Sequence, residues 1–178
     1  MKLLTITAGV ALFAAIALAV RYHFRSPSMS WGMRTISLLT FAGAAAFVAV
    51  LWPMQRETPP LAIALALFVV SGGIFFWALH ESRAARLKLA LDPDGPTSVL
   101  ATGPYRYVRH PFYTSYIIYW LACAIATGHP LNIAFLVVMT ATYIYVASGE
   151  ERSFQDTPHA AAYAKYRETA GLFWPKLW

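Results

Sequence analysis

Charge is what this sequence has least of: across 178 residues only 12% are Asp, Glu, Lys or Arg. A soluble domain of this size carries about a quarter charged residues, so a water-exposed globule is excluded. The 58% hydrophobic and 15% aromatic content excludes a disordered chain as well. Cysteine is almost missing. Cys123 stands alone inside an apolar run, which rules out a disulfide framework and a cysteine-based zinc site. Acids are scarcer than bases, 8 against 14, for a net charge of +6. Bases this sparse cannot line the continuous track that nucleic acid requires, so no nucleic-acid partner is expected and membrane lipids are. No internal repeat, low-complexity segment or long linker divides the chain, and a single domain over residues 1–178 is the simplest organisation.

What is abundant is long uncharged sequence. A helix needs about 20 apolar residues to cross a bilayer, and the chain offers such runs at residues 3–20, 35–55 and 59–80. His110 to Gly149 holds 40 residues without Asp, Glu, Lys or Arg, enough for two crossings, and Gly128-His129-Pro130 divides it into spans at 112–128 and 131–149. The expected fold is all-α, a polytopic membrane bundle of five transmembrane helices with a cytosolic loop and a C-terminal helix. That last helix is expected from Pro158 to Glu168, with Thr157 as its N-cap and Gly171 near its C-cap. Placing the N-terminus outside puts 12 of the 14 basic residues in cytosolic segments and leaves only Lys2 and Arg56 outside, in accord with the positive-inside rule. Met1-Lys2 and Ala17-Leu18-Ala19 have the look of a secretory signal, but cleavage after them would turn the basic loops outward; the first run is read as a span. A bacterial inner membrane fits the compact length.

Two polar clusters on the cytosolic side exceed what helix packing requires. In the first, residues 97–113, Gly103-Pro104 marks a turn and Pro111 suits the first turn of the fourth span. His110 then falls at a helix N-terminus, where backbone N–H groups and the helix dipole favour an anion such as a ligand carboxylate. The second, within residues 150–175, begins with Glu150-Glu151 at the C-terminus of the fifth span. The dipole repels acids there and the membrane edge desolvates them, so a cation is expected to compensate; Arg152, the basic loops or a cationic ligand would all serve. With Tyr105, Tyr107, Tyr113, Tyr163 and Tyr166 nearby, the set suits a zwitterionic cofactor with an aromatic base. His129 lies in an outer turn and is expected to be inert.

The run Gly103-Pro104-Tyr105-Arg106-Tyr107-Val108-Arg109-His110-Pro111-Phe112-Tyr113, followed by Glu150-Glu151-Arg152-Ser153-Phe154 and Tyr163-Ala164-Lys165-Tyr166, resembles the isoprenylcysteine carboxyl methyltransferase family, whose pattern the membrane phospholipid N-methyltransferases share. The resemblance covers roughly Leu100 to Pro175. It implies methyl transfer from S-adenosylmethionine to a lipophilic acceptor at the cytosolic face, with S-adenosylhomocysteine as the second product. It also implies cofactor-binding roles for Thr97, Ser98, Val99, Leu100, Tyr105, His110, Pro111, Tyr113 and Glu150. Glu150 would take the methionine ammonium and His110 the carboxylate, and tyrosine faces would attract the sulfonium. Arg109 and Glu151, with Arg106, are the candidates for the acceptor side. No metal is implied.

The sequence departs from the family at Ser115, where Gly is usual, at Phe154 for Leu, and at Val146 and Leu172, each replacing an Arg. The cofactor half of the pattern is kept and the acceptor half is altered. Three other readings therefore stand beside a carboxyl methyltransferase: methylation of a phospholipid amine or a small thiol, a non-catalytic scaffold of the same fold, and a nicotinamide-dependent membrane reductase. The last lacks a dinucleotide glycine fingerprint.

Overall fold

The structure, a computed structural model, describes residues 1–23, 31–85, 99–155 and 157–176. Its elements are α1 (Lys2–His23), α2 (Trp31–Leu51), α3 (Thr58–Ala85), a short 3-10 turn (Gly103–Arg106), α4 (Pro111–Thr127), α5 (Pro130–Ser153) and α6 (Ala160–Thr169). The fold is all-helical, as expected. Helices α1, α2, α3 and α5 are each long and apolar enough to cross a membrane. The expected fourth span is α4, whose 17 residues reach about 25 Å at 1.5 Å per residue against a hydrocarbon core of about 30 Å. Among the described residues four helices thus have the length and composition of a span, where five were expected; α4 runs from one end of the bundle to the other but is shorter.

Helix α4 is the hub of the bundle. Twelve of its 17 residues are buried, and it packs on α3, α5, α2 and α1. Around Trp120, Tyr119 and Cys123 of α4 gather Phe47 of α2, Phe68 of α3, and Met139 and Tyr143 of α5. Lipid offers no hydrophobic incentive for helices to associate, so polar contacts and close packing carry the specificity. Ser71 Oγ donates to the Ser115 carbonyl at 2.8 Å, joining α3 to α4. Trp120 Nε1 donates to Tyr143 Oη at 3.2 Å, joining α4 to α5.

The helix ends fall into two groups. At one end Lys2 Nζ donates to the carbonyls of Trp52 and Met54 at 2.9 and 3.2 Å, and Arg56 Nε donates to Ala126 O at 3.1 Å. The two basic residues set apart by the sequence thus share one end, where they meet chain leaving the C-termini of α2 and α4 and favour the negative ends of those dipoles. The α4–α5 turn lies there too. Gly128 adopts φ 60°, the left-handed conformation that glycine accepts without steric cost, and His129 is structural, its Nδ1 accepting from Leu131 N–H as the N-cap of α5. The other end holds the 3-10 turn, the N-terminus of α4, the C-terminus of α5 and α6. Helix α6 starts at Ala160 with His159 as its N-cap, two residues later than expected, because Thr157 Oγ1 instead accepts from His159 N–H within the preceding turn.

Candidate functional site

The N-terminus of α4 and the C-terminus of α5 meet at this second end and bring the two polar clusters together. His110 is the N-cap residue of α4, followed by Pro111 in the first turn. Its ring is engaged on both sides: Nδ1 lies 3.3 Å from Glu150 Oε2 and Nε2 lies 3.2 Å from Glu151 Oε1. Only an imidazolium can donate from both nitrogens. Burial by itself lowers the His110 pKa, but hydrogen bonds and charge from Glu150 and Glu151 outweigh it and raise the value above the usual 6.5. The cation that compensates the acidic pair is thus the histidine for which a ligand carboxylate was expected.

Arg109 completes the chain of charges. Its Nε donates to Glu151 Oε1 at 2.7 Å and its Nη1 to the Ala170 carbonyl at 2.5 Å. Arg167 Nε approaches Glu151 Oε2 at 3.4 Å. Glu150 turns its other oxygen to Tyr113, whose Oη donates at 2.7 Å. The Tyr113 ring stacks on Tyr143 at 5.3 Å and on His110 at 5.6 Å, and Tyr116 and Phe173 extend the wall. A row of charges beside a row of aromatic faces results.

The segment after α6 closes this end as a strap. Arg109 N–H donates to Gly171 O at 2.8 Å, Gly171 N–H to Tyr107 O at 3.0 Å, and His110 N–H to Leu172 O at 3.2 Å. Thr114 Oγ1 adds a bond to Phe173 O at 2.8 Å. A β-carbon on Gly171 would lie 1.7 Å from the Trp174 carbonyl oxygen, so only glycine permits the chain to fold back at this point. The tyrosines of α6 fasten the helix itself: Tyr166 Oη donates to Tyr105 O at 2.5 Å, and Tyr163 stacks on Phe154 at 4.1 Å.

Of the residues singled out by sequence, Arg109, His110, Pro111, Tyr113, Glu150 and Glu151 come together here, and Tyr105 is buried in the adjoining 3-10 turn. Val99 and Leu100 are half-buried just before that turn. Thr97 and Ser98 lie outside the described residues. Arg106 is exposed and stands apart from the cluster. Tyr143, the strap carbonyls and Arg167 were not anticipated. Tyr143 was detectable, being seven residues and hence two helical turns before Glu150. The strap carried no comparable signal.

The residues fit a zwitterionic sulfonium cofactor. Buried Tyr105 Oη has no hydrogen-bond partner, which leaves a polar atom available beside the acidic pair. The carboxylates and tyrosine faces suit a cation, and the helix N-terminus with its imidazolium suits an anion. Among the described residues no group of His, Cys, Asp and Glu could hold a metal ion.

Fold and site together define a multi-pass helical membrane protein with a chain of charges at one end of its bundle. The sequence model for phospholipid methyltransferases matches residues 59–158, more than half of the chain, and the protein belongs to that family of membrane methyltransferases. The matched region runs from α3 to the approach to α6 and contains the first polar cluster and Glu150-Glu151 at the start of the second. No curated protein matches the sequence.

Proposed function

We propose that the protein transfers the methyl group of S-adenosylmethionine to a lipophilic acceptor at the cytosolic face of the membrane. The observation that carries the proposal is the linked set Glu150, His110, Glu151 and Arg109 set against the stacked rings of Tyr113 and Tyr143. The cofactor supplies an electrophilic methyl group on a sulfonium centre.

The protein's part is to hold and orient the reactants and to exclude water. Glu150 supplies negative charge for the ammonium of the methionine moiety, and the Tyr113 ring offers its face to positive charge. The N-terminus of α4 supplies positive charge for the carboxylate, while both nitrogens of His110 stay with Glu150 and Glu151. The buried Tyr105 Oη offers a further polar contact, and Thr97, Ser98, Val99 and Leu100 keep the cofactor-binding roles that the family resemblance implies. Arg109 and Glu151 fix the strap against α5 and sit on the acceptor side of the cluster.

The acceptor reading follows the resemblance to the isoprenylcysteine carboxyl methyltransferases, in which a carboxylate arrives already ionised. Membership in the phospholipid methyltransferase family favours a second reading with equal force, an amine of a phospholipid headgroup. A protonated amine must first lose its proton before it can accept the methyl group. The orientation with the site inside follows from the basic residues, 12 of 14 falling on that side.

The test is transfer of labelled methyl groups from S-adenosylmethionine to membrane lipids and prenylcysteine analogues by the purified protein. Release of the label by mild base identifies an ester, and retention identifies an N-methyl product. Absence of any labelled product across both acceptor classes overturns the proposal.

A further inference from the structure

The 3-10 turn that carries Tyr105 is seated on α3 by a residue outside the charge cluster. Glu81 lies near the end of α3, one helical turn after Trp77 and on the same face. Its Oε2 accepts from Thr102 Oγ1 at 2.8 Å, and the Trp77 ring meets that of Tyr107 at 6.4 Å. Two features of the turn are shaped to the Glu81 contact. Thr102 is the N-cap residue of the turn, yet its hydroxyl makes none of the backbone cap bonds usual at that position and goes to Glu81 instead. Gly103 adopts φ 55°, and a β-carbon there would lie 2.6 Å from Glu81 Cδ and closer still to Cγ. Glycine at this position leaves the carboxylate room to lie across the turn.

What this seating fixes is Tyr105. Its N–H donates to Thr102 O at 3.1 Å, so the residue gripped by Glu81 is also the one to which Tyr105 is tied. The Tyr105 ring is buried and its Oη has no hydrogen-bond partner. Burial raises the Tyr105 pKa above its ordinary value, and Tyr166, Glu150 and Glu81 raise it further, so the hydroxyl keeps its proton and is a donor. An unpaired buried donor costs stability, and a turn free to shift would carry it to an acceptor; the grip from α3 withholds that freedom. We propose that Glu81 is a positioning residue, which through Thr102 fixes the turn so that Tyr105 Oη stays presented to the candidate cofactor site. The consequence for binding rests on the reading of that site as one for an S-adenosyl cofactor, whereas the seating of Tyr105 does not.

The test uses the full chain in an uncharged maltoside detergent, with two readouts: calorimetric titration with S-adenosylhomocysteine, and, without ligand, the fluorine resonance of 3-fluorotyrosine incorporated in place of Tyr105. Glu81→Ala and Thr102→Val each remove the contact, whereas Glu81→Gln keeps a side-chain oxygen that accepts from Thr102 and Thr102→Ser keeps the donor. Binding is expected to weaken about five-fold in Glu81→Ala and in Thr102→Val, and no further in the double variant, because both remove one interaction. Glu81→Gln and Thr102→Ser should restore parental binding. The fluorine resonance should move or split in Glu81→Ala and Thr102→Val and stay in place in Glu81→Gln. Should Glu81→Ala fail to fold, Thr102→Val still decides the matter, since Thr102 is exposed. An unmoved resonance, or binding as tight as the parent's in the variants that lose the contact, overturns the proposal. Glu81→Gln binding as weakly as Glu81→Ala, with Thr102→Val unaffected, also overturns it and makes Glu81 a direct charge partner of the ligand. A folded parent that does not bind S-adenosylhomocysteine overturns the cofactor reading, and the fluorine resonance alone then decides whether Glu81 seats Tyr105.

Discussion

Glu150 and Glu151 stand where a helix dipole and a lipid boundary both disfavour acid, and the reason they are tolerated is written in their partners. His110 spans the pair, Arg109 holds Glu151, and Tyr113 holds Glu150. Removing one partner from a buried, hydrogen-bonded charge network costs about 2–5 kcal/mol, much of it from the charge left behind. The histidine also makes stability depend on pH. Its folded pKa is raised above the ordinary 6.5, so its contribution is fully present below that ordinary value and is lost as pH rises through the folded one. The melting temperature in detergent is therefore expected to fall as pH is raised from 6 toward 9, and His110→Gln should flatten that decline; an identical slope in the variant would remove the imidazolium from the account. The residue types of this site were legible in the sequence, because paired acids at a helix end and a histidine before a proline are locally improbable. The pairing was not. Sequence spacing places His110 and Glu150 at neighbouring helix ends but cannot show that the ring turns to the carboxylates, a matter of side-chain geometry across 40 residues of chain.

At the scale of elements, the strap and α4 show what hydropathy reveals and what it hides. The uncharged runs located every long helix to within a few residues, and Gly128 ended α4 where the turn signal fell. Hydropathy does not separate a helix that faces lipid from one enclosed by other helices, since both are apolar, so it gave no sign that α4 is shorter and more buried than its neighbours. The strap was opaque because its work is done by backbone carbonyls, which any residue provides. Its one sequence mark is Gly171. Gly171→Ala must displace the chain at Trp174 and break the bonds to Tyr107 and Arg109; a loss of about 1–3 kcal/mol is expected from overpacking alone, visible as a lowered melting temperature together with weaker S-adenosylhomocysteine binding. A variant that melts and binds as the parent does would show the strap to be dispensable. Helix α5 offers the opposite case. Asn132 is buried with neither amide atom of its side chain paired, an arrangement that costs roughly 1–3 kcal/mol. Asn132→Leu is expected to raise the melting temperature and leave cofactor binding unchanged, and a lower melting temperature would mean the amide has a partner that matters.

For the molecule as a whole, the division into two ends organises both stability and function. Lys2 and Arg56 secure one end through carbonyls of the chain at helix C-termini, while the other gathers Glu150, Glu151, His110, Arg109, Arg167 and Tyr113 around the meeting of α4, α5 and α6. Membership in the phospholipid methyltransferase family places methyl transfer on this architecture, and the charges at the second end are the features best suited to hold a sulfonium cofactor. The most direct measurement is calorimetric titration of the purified protein in detergent with S-adenosylhomocysteine, comparing the parent with Glu150→Gln. Saturable binding with one site per chain in the parent, weakened about 30-fold or more in Glu150→Gln as loss of 2 kcal/mol or more requires, is the predicted result. No binding by the folded parent, or equal binding by the two proteins, would contradict the assignment of this cluster as the cofactor site.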